Sequence, residues 1–136
     1  MKEKPQAIRL GRLELKIMEV VWRFGEATVH DVQKTLEPTT PRAYSTILTM
    51  MRKLEAKGYL DHDVDDRTYV YRPTISQSDV RKNLLGDLLD RVFAGSASLV
   101  VSGLLDQKKL SKKELVAIRK LIEDAAPTTG KSSRQT

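Results

Sequence analysis

The spacing of apolar residues changes twice along this chain, and each change marks a different kind of backbone. Over residues 8–57 the apolar positions recur at steps of three and four, which is typical of amphipathic helices. Over residues 59–73, short segments of β-branched and aromatic residues flank the turn composition Asp65-Asp66-Arg67, which is typical of a hairpin. Beyond residue 76 the helical spacing returns. The chain is therefore predicted to be mainly α with one small β hairpin.

Three helices are predicted before the hairpin. The first ends at Gly25, since a glycine just past the last periodic residue is a common helix terminator. The second begins after Thr28, which starts a capping-box pattern. The third is predicted to have Thr40 as its N-cap and Pro41 at its first helical position, and to stop at Gly58. The order helix, helix, helix, hairpin is that of the winged helix-turn-helix.

The second half is predicted to be helical, with helix starts at the cap residues Ser76 and Ser111. Its last stretch is made of Pro, Thr, Gly, Ser and basic residues, which predicts disorder. The predicted domains are a winged helix-turn-helix DNA-binding domain at 1–74, a helical dimerisation domain at 75–125 and a disordered tail at 126–136.

Composition narrows the classes of function. The absence of cysteine excludes disulfides, thiolate zinc sites and cysteine nucleophiles, and it fits a cytoplasmic location. No apolar stretch approaches the ~20 residues that span a bilayer, so membrane insertion is not expected. The net charge is +6, but residues 1–75 carry 13 basic and 11 acidic residues (+2), while residues 76–136 carry 11 and 7 (+4). A nucleic-acid surface must therefore be a local stripe of basic residues.

The third predicted helix has one apolar and one polar face. Ile47, Met51 and Leu54 fall on the apolar side, while the polar side has hydroxyl groups at its centre and basic residues at both ends. Short hydroxyl side chains allow close approach to base edges in the major groove, and Arg and Lys reach guanines or phosphates. An ordinary solvated helix face is the alternative. The predicted DNA-binding residues, two of them in the hairpin, are Arg42, Tyr44, Ser45, Thr46, Thr49, Arg52, Lys53, Arg67 and Tyr71.

The hairpin supplies a second DNA contact in this interpretation. Arg67 at its tip is placed to reach a phosphate or the minor groove, or else it is a plain solvated turn residue. The hairpin aspartates would repel a phosphate, so we expect one strand face to turn them outward. His62 lies among these carboxylates, but the spacing does not match a calcium loop. We expect His62 to be exposed and unliganded, and we predict neither a metal nor a cofactor.

The second half contains more leucine than three short helices can bury among themselves. A domain of about fifty residues is small for such a core, and a second copy would supply the missing surface. A compact three-helix core within one chain is the alternative. A twofold homodimer would present two recognition helices to a palindromic operator. The predicted dimerisation residues are Leu84, Leu85, Leu88, Leu89, Val92, Val100, Leu104, Leu115, Ile118 and Leu121.

An ordered set of segments resembles the penicillinase-repressor family, of the BlaI and MecI type, with the CopY repressors as relatives. The matching segments are LELKIMEVVW from residue 13, AYSTILT from residue 43, KGYL from residue 57 and RTYVYRP from residue 67. Each segment alone is a weak signal, whereas their order is fairly specific. The resemblance covers roughly residues 10–124.

The resemblance implies a dimeric winged-helix repressor that occupies palindromic operators, commonly of TACA/TGTA character, and blocks transcription. It also implies that Ser45, Thr46, Thr49 and Lys53 contact DNA. Well-studied members are cleaved at an Asn-Phe bond in the second domain, after a membrane-bound sensor metalloprotease detects a β-lactam. The comparable stretch here, residues 99–104, reads LVVSGL and has no Asn-Phe bond. The CopY relatives hold metal with C-terminal cysteines, a mode that this cysteine-free chain excludes.

Two other readings from the residues stay open. A protein-interaction module would use the winged domain to dock a partner protein and would tolerate changes on the polar face. A MarR-like regulator would sense a small ligand, but such proteins usually place dimerising helices at both ends of the chain. An enzyme is not predicted, because no phosphate-cradling glycine run, nucleophile elbow or pair of catalytic histidines is present.

Overall fold

The computed structural model describes the backbone of residues 8–130 and the side chains of residues 8–125. Its elements are α1 (Arg12–Phe24), α2 (Val29–Leu36), α3 (Tyr44–Ala56), β1 (Leu60–Asp65), β2 (Thr68–Pro73), α4 (Gln77–Val92), α5 (Ala97–Asp106) and α6 (Lys112–Gly130). Mainly helical with one antiparallel hairpin, the fold confirms the predicted class. The chain divides into two compact units after Asp87, within α4 rather than at the predicted boundary after residue 74.

The core of the first unit is formed by one face each of α1, α2 and α3, closed by the base of the hairpin. Each helix buries apolar residues at steps of three and four, as an amphipathic helix does. The buried apolar side chains of this cluster are Ile17, Met18, Val20, Val21, Ala27, Val29, Val32, Leu36, Ile47, Met51, Leu54, Leu60 and Tyr71. The core therefore fixes which face of α3 remains in solvent.

The first turns of α4 are attached to this unit. Trp22 Nε1 donates a 2.9 Å hydrogen bond to the carbonyl of Ile75, just before the helix. Val80 is buried, and the Ile8 N–H donates to Asn83 Oδ1 at 3.2 Å. These contacts explain why the division between the units falls inside α4.

The predicted helix ends at Gly25 and Gly58 and the predicted starts at Thr28, Ser76 and Ser111 are confirmed. The Gly25 N–H donates to the carbonyl of Val21 at 2.8 Å, and Gly25 has the positive φ of 86° that suits a glycine after a helix. Thr28 and Asp31 form a capping box before α2, with both side chain–backbone hydrogen bonds at 3.0 Å.

The predicted start of α3 is wrong. The helix begins at Tyr44 with Ala43 as its N-cap, not at Thr40 and Pro41. The reason is that the Thr40 N–H donates to the carbonyl of Leu36 at 2.7 Å, so Thr40 belongs to the turn that ends α2. Residues 41–43 belong to neither a helix nor a strand, and Ala43 has the extended backbone of an N-cap.

The hairpin pairs β1 with β2 in an antiparallel register that runs from Leu60 opposite Pro73 to Asp65 opposite Thr68. Its two-residue turn consists of Asp66 and Arg67, whose φ angles are 52° and 71°. Two successive positive φ angles are characteristic of the type I′ turn, which matches the twist of paired strands.

The second unit contains the rest of α4, with α5 and α6. None of its side chains between residues 88 and 125 is buried. The α6 backbone continues to Gly130, so the predicted disorder is wrong for residues 126–130. Adding residues to a formed helix requires less free energy than nucleating a new one. The composition of the tail did not indicate this extension. Residues 131–136, also predicted to be disordered, lie outside the described residues.

No single helix within residues 8–130 is long and apolar enough to cross a bilayer, and only α4 and α5 taken together across a sharp bend reach the required length and composition.

Candidate nucleic-acid interface

The polar face of α3 is fully presented to solvent. Because Ile47, Met51 and Leu54 are buried against α1, α2 and the hairpin, the opposite side must face outward. The outward face holds no acidic side chain and consists of hydroxyl groups flanked by basic residues. Its exposed residues are Ser45, Thr46, Thr49, Arg52 and Lys53. The structure thus brings the predicted α3 residues together on one surface.

Arg42 precedes this surface. It lies in the segment between α2 and α3, and its carbonyl accepts a 3.1 Å hydrogen bond from Gln33 Nε2 on α2. Its guanidinium group remains exposed and donates to the neighbouring Pro41 carbonyl at 2.9 Å. The α2 contact therefore fixes the backbone of Arg42 and leaves its cationic group at the edge of the α3 face.

A groove of about 500 Å³ separates α3 from the hairpin. The α3 wall carries Tyr44, Leu48 and Arg52, and the hairpin wall carries Arg67 with Thr68 and Tyr69; residues at the start of α2 close one end. Both walls therefore carry a guanidinium group, which gives the groove positive charge on two sides.

The hairpin aspartates of β1 do not line this groove. His62 contacts α3, so its neighbours Asp61 and Asp63 lie on the opposite face of the strand, as the two-residue period of a strand requires. Asp63 is further paired with Arg72 on that outer face. The expectation that one strand face would turn these carboxylates outward is confirmed.

Tyr71 does not belong to the interface, and its prediction as a DNA-binding residue is wrong. Its side chain has no exposed surface, and its backbone pairs with Ala27 through two 2.9 Å hydrogen bonds. In the register Tyr71 on β2 stands opposite His62 on β1, on the inward face of the hairpin that also holds Leu60. The sequence alone gives no signal that places Tyr71 in the core, because the alternation along β2 does not say which face turns inward.

His62 was predicted to be exposed and unliganded, and it is less exposed than predicted. Its side chain is 26% exposed, and its Nδ1 lies 2.8 Å from Glu55 Oε2 at the end of α3. Its ring also stacks on Tyr69, with 4.0 Å between the ring centroids and 11° between the planes. Sequence reasoning missed this pair because the two side chains come from different elements on either side of the Gly58 turn.

An ion pair between the buried Glu14 and the partly exposed Lys57 fixes the start of α1 against the end of α3. Lys57 Nζ lies 3.0 Å from both carboxylate oxygens of Glu14, and it also donates to the carbonyl of Arg9. Burial opposes ionisation of Glu14, but the hydrogen bond from the Gly11 N–H and the charge of Lys57 outweigh it and lower the pKa of that carboxyl. The pair holds α3 in place behind its exposed face.

The predicted dimerisation residues are all at least partly exposed in one chain. Leu84, Leu89, Val100 and Ile118 are half-buried, and the other members of the set are exposed. As for metal binding, no group of three or more His, Asp or Glu side chains in the described part of the chain is placed to hold an ion.

The exposed helix α3 follows a short helix and a turn, and a two-stranded wing follows α3 in the chain. This arrangement defines a winged helix-turn-helix DNA-binding protein. Residues 10–124 match the penicillinase repressor family, and the chain belongs to that family of transcriptional repressors, which are not enzymes.

Among its relatives, the penicillinase repressor of Bacillus licheniformis is 31% identical over 124 residues, which cover 91% of this chain and 94% of the relative. The methicillin resistance regulatory protein MecI of Staphylococcus aureus (strain N315) is 20% identical over 113 residues, or 83% and 92% of the two chains. The complex structure of hsRosR-S4 superposes with a TM-score of 0.53 at 17% identity, covering 90% of this chain and 94% of the other. At that identity the likeness concerns the fold alone.

Proposed function

We propose that this chain is a dimeric repressor that binds a palindromic operator, with α3 in the major groove and the wing on the adjacent backbone. The observation that carries the proposal is the outward face of α3. Thr46 and Thr49 lie at its centre, where hydroxyl and methyl groups can read base edges. Arg52 and Lys53 follow on the same exposed side, where they can bind phosphates and set the register of the helix.

The groove between α3 and the wing extends this contact. A phosphodiester strand borders the major groove, so a protein with α3 in that groove and its wing on the adjacent backbone must accommodate the strand between the two elements. Arg52 on one wall and Arg67 on the other supply the charge for it.

The backbone conformation of Arg67 supports a functional role for an arginine at this position. Its φ of 71° lies in the left-handed region, which costs a non-glycine residue roughly 1–2 kcal/mol. The type I′ turn strongly prefers glycine at this second central position. An arginine held there against its conformational preference fits a residue whose charge is needed at the tip.

The second unit supplies the proposed dimer interface. Large apolar side chains are exposed along all three of its helices, including Val92, Leu99 and Leu121 at 61%, 53% and 68%. Large apolar side chains left exposed in one chain often mark a protein–protein interface. A second copy of the chain is the occupant we propose, because a twofold pair also gives the two recognition helices that a palindrome requires.

Induction by cleavage is not part of the proposal. Residues 99–104 lie within α5 and contain no Asn-Phe bond, so the sensor metalloprotease that the family resemblance implies has no matching bond in this segment. A helical segment must also unwind before a protease can bind it in the extended form.

The test is selection of DNA from a randomised duplex pool by the full chain, followed by binding titrations at several salt concentrations. Wild-type protein should prefer the selected duplex to a scrambled one and should show a steep salt dependence. Thr49→Val removes one hydroxyl at constant shape and should reduce that preference about tenfold. Lys53→Ala should weaken both duplexes alike and lower the salt slope by about one per subunit.

Lys120→Ala is the matched control, because it removes an exposed charge from the second unit, far along the chain from α3. It should bind both duplexes as the wild type does. Equal affinity for the selected and the scrambled duplex would overturn sequence-specific repression. Binding that shows no salt dependence would favour the protein-interaction module instead.

A further inference from the structure

The outer part of the wing is weakly attached to the rest of the first unit. At its base, Leu60 and Tyr71 are buried and the Ala27 bridge adds two backbone hydrogen bonds. Towards the tip, from Val64 to Tyr69, every side chain is exposed. A two-stranded hairpin is only marginally stable by itself in water. The position of Arg67 at the tip therefore depends on whatever holds the strands laterally.

One lateral contact is present, and it comes from α3. Glu55, on the last turn of α3, places its carboxylate 2.8–2.9 Å from His62 Nδ1 on β1. Among the described residues this is the only side-chain hydrogen bond or ion pair that joins α3 to the hairpin strands. Both side chains are about one quarter exposed, so solvent competes with the contact less than at a free surface.

The contact is continued across the hairpin by a ring stack. His62 packs flat against Tyr69 on β2, at 4.0 Å between the centroids. Tyr69 lies two residues beyond Arg67, so the chain of contacts runs from α3 through both strands to the edge of the turn. Hydrogen bond and stack together orient the imidazole, because the carboxylate fixes its edge and the phenol ring fixes its face.

We propose that Glu55 and His62 are positioning residues that hold the wing at a fixed distance from the recognition helix, so that Arg67 and α3 engage the same DNA together. The proposal rests on the proposed function and adds how its second contact is placed. Neither residue touches DNA in this scheme. Their effect on binding passes through Arg67.

A double-mutant cycle between Arg67 and Glu55 tests the coupling. The four proteins are the wild type, Arg67→Ala, Glu55→Ala and the double variant, titrated with the duplex that the wild type selects from a randomised pool. Glu55→Ala also removes a negative charge near the DNA, so its affinity alone does not decide the question. The cycle isolates the coupling, since that direct charge effect is the same in both backgrounds.

With Glu55 present, Arg67→Ala should weaken binding about tenfold per half-site and lower the salt slope by about one. In the Glu55→Ala background, Arg67→Ala should weaken DNA binding by less than about twofold. Without the contact between Glu55 and His62, the hairpin tip no longer holds the Arg67 guanidinium on the DNA backbone. Glu55→Gln keeps an acceptor for the imidazole N–H and should restore the full effect of Arg67→Ala. Equal losses in all backgrounds would overturn the proposal.

Asp63→Ala is the matched control, because it breaks the ion pair with Arg72 on the same strand but on the face turned away from α3. It should leave the effect of Arg67→Ala unchanged. Hydrogen exchange gives a readout that needs no DNA: Glu55→Ala should speed exchange of the wing amides and leave those of α1 unchanged. If the wild type selects no duplex, the proposed function fails; if it does and the cycle is additive, only the positioning role fails.

Discussion

The two units of this chain use apolar residues in opposite ways. In the first unit, one face each of α1, α2 and α3 packs its apolar side chains into one core, and Ile17, Ile47 and Leu54 have no exposed surface. In the second unit α5 is the most apolar helix of the chain, yet none of its side chains is buried. Apolar content therefore does not by itself indicate a core, because burial requires a facing surface, and the second unit has too little of it.

The strongest test of this difference between the two units is to place a charge on the exposed apolar surface of the second unit. Leu121 is 68% exposed, so Leu121→Glu should cost an isolated chain almost nothing. If a second copy covers Leu121, the substitution should weaken dimerisation by about 2–3 kcal/mol, because it removes apolar burial and buries a carboxylate. Affinity for a palindrome should then fall about a hundredfold as the linked second contact is lost, while affinity for a half-site is kept. Sedimentation and duplex titration measure the two effects.

Phe24→Glu is the control for this experiment. Phe24 is 50% exposed at the end of α1 in the first unit, so it matches Leu121 in character but not in location. It should leave the oligomeric state as in the wild type. A Leu121→Glu protein with unchanged sedimentation and unchanged palindrome affinity would contradict a dimer through this surface.

The next largest effect concerns the partly buried ion pair between Glu14 and Lys57 in the first unit. Lys57→Met removes the cation that lies 3.0 Å from both oxygens of Glu14 and leaves a buried carboxylate with the Gly11 N–H as its remaining donor. The free energy of unfolding should fall by about 2–3 kcal/mol. Trp22 is the only tryptophan of the chain and packs against this core, so its fluorescence in urea reports the unfolding of the first unit.

The same pair predicts a dependence on pH with a definite sign. The pKa of Glu14 is lowered in the folded state, because its hydrogen bonds and Lys57 outweigh its burial. The stabilisation is therefore complete above the ordinary value of 4.5 and is lost as the pH falls through the lower, folded pKa. Wild-type stability should drop in that acid range, and Lys57→Met should flatten the drop. Lys120→Met, which breaks an exposed pair with Asp124, should alter neither quantity.

Local patterns were sufficient for much of the first unit. Gly25 and the pair Thr28 and Asp31 act within one turn of chain, so their capping roles follow from sequence spacing alone. The outward face of α3 follows from the period of its buried residues in the same way. The predicted start of α3 at Thr40 was wrong because the Thr40 N–H instead bonds to the end of α2. Thr40 can either start α3 or close α2, and the sequence alone does not say which of the two it does.

Contacts between different helices and strands could not be predicted from the sequence. The alternation in β2 separates Tyr69 and Tyr71 from Val70 and Arg72, but it does not say which face turns inward. That choice is made by the register with β1 and by burial of Leu60. The Glu55–His62 pair is likewise created by the turn between α3 and the wing, which is why a histidine among aspartates gave no usable signal.

The smallest predicted effect tests the reassignment of Tyr71 from the interface to the core. Its hydroxyl is buried and finds no hydrogen-bond partner among the described residues, so removing it takes away an unsatisfied polar group. Tyr71→Phe should leave the free energy of unfolding unchanged or raise it by up to about 1 kcal/mol, since the ring still fills the core. Affinity and salt slope for the selected duplex should equal those of the wild type. Loss of DNA affinity without loss of stability would return Tyr71 to the interface, which would require the wing to open on binding.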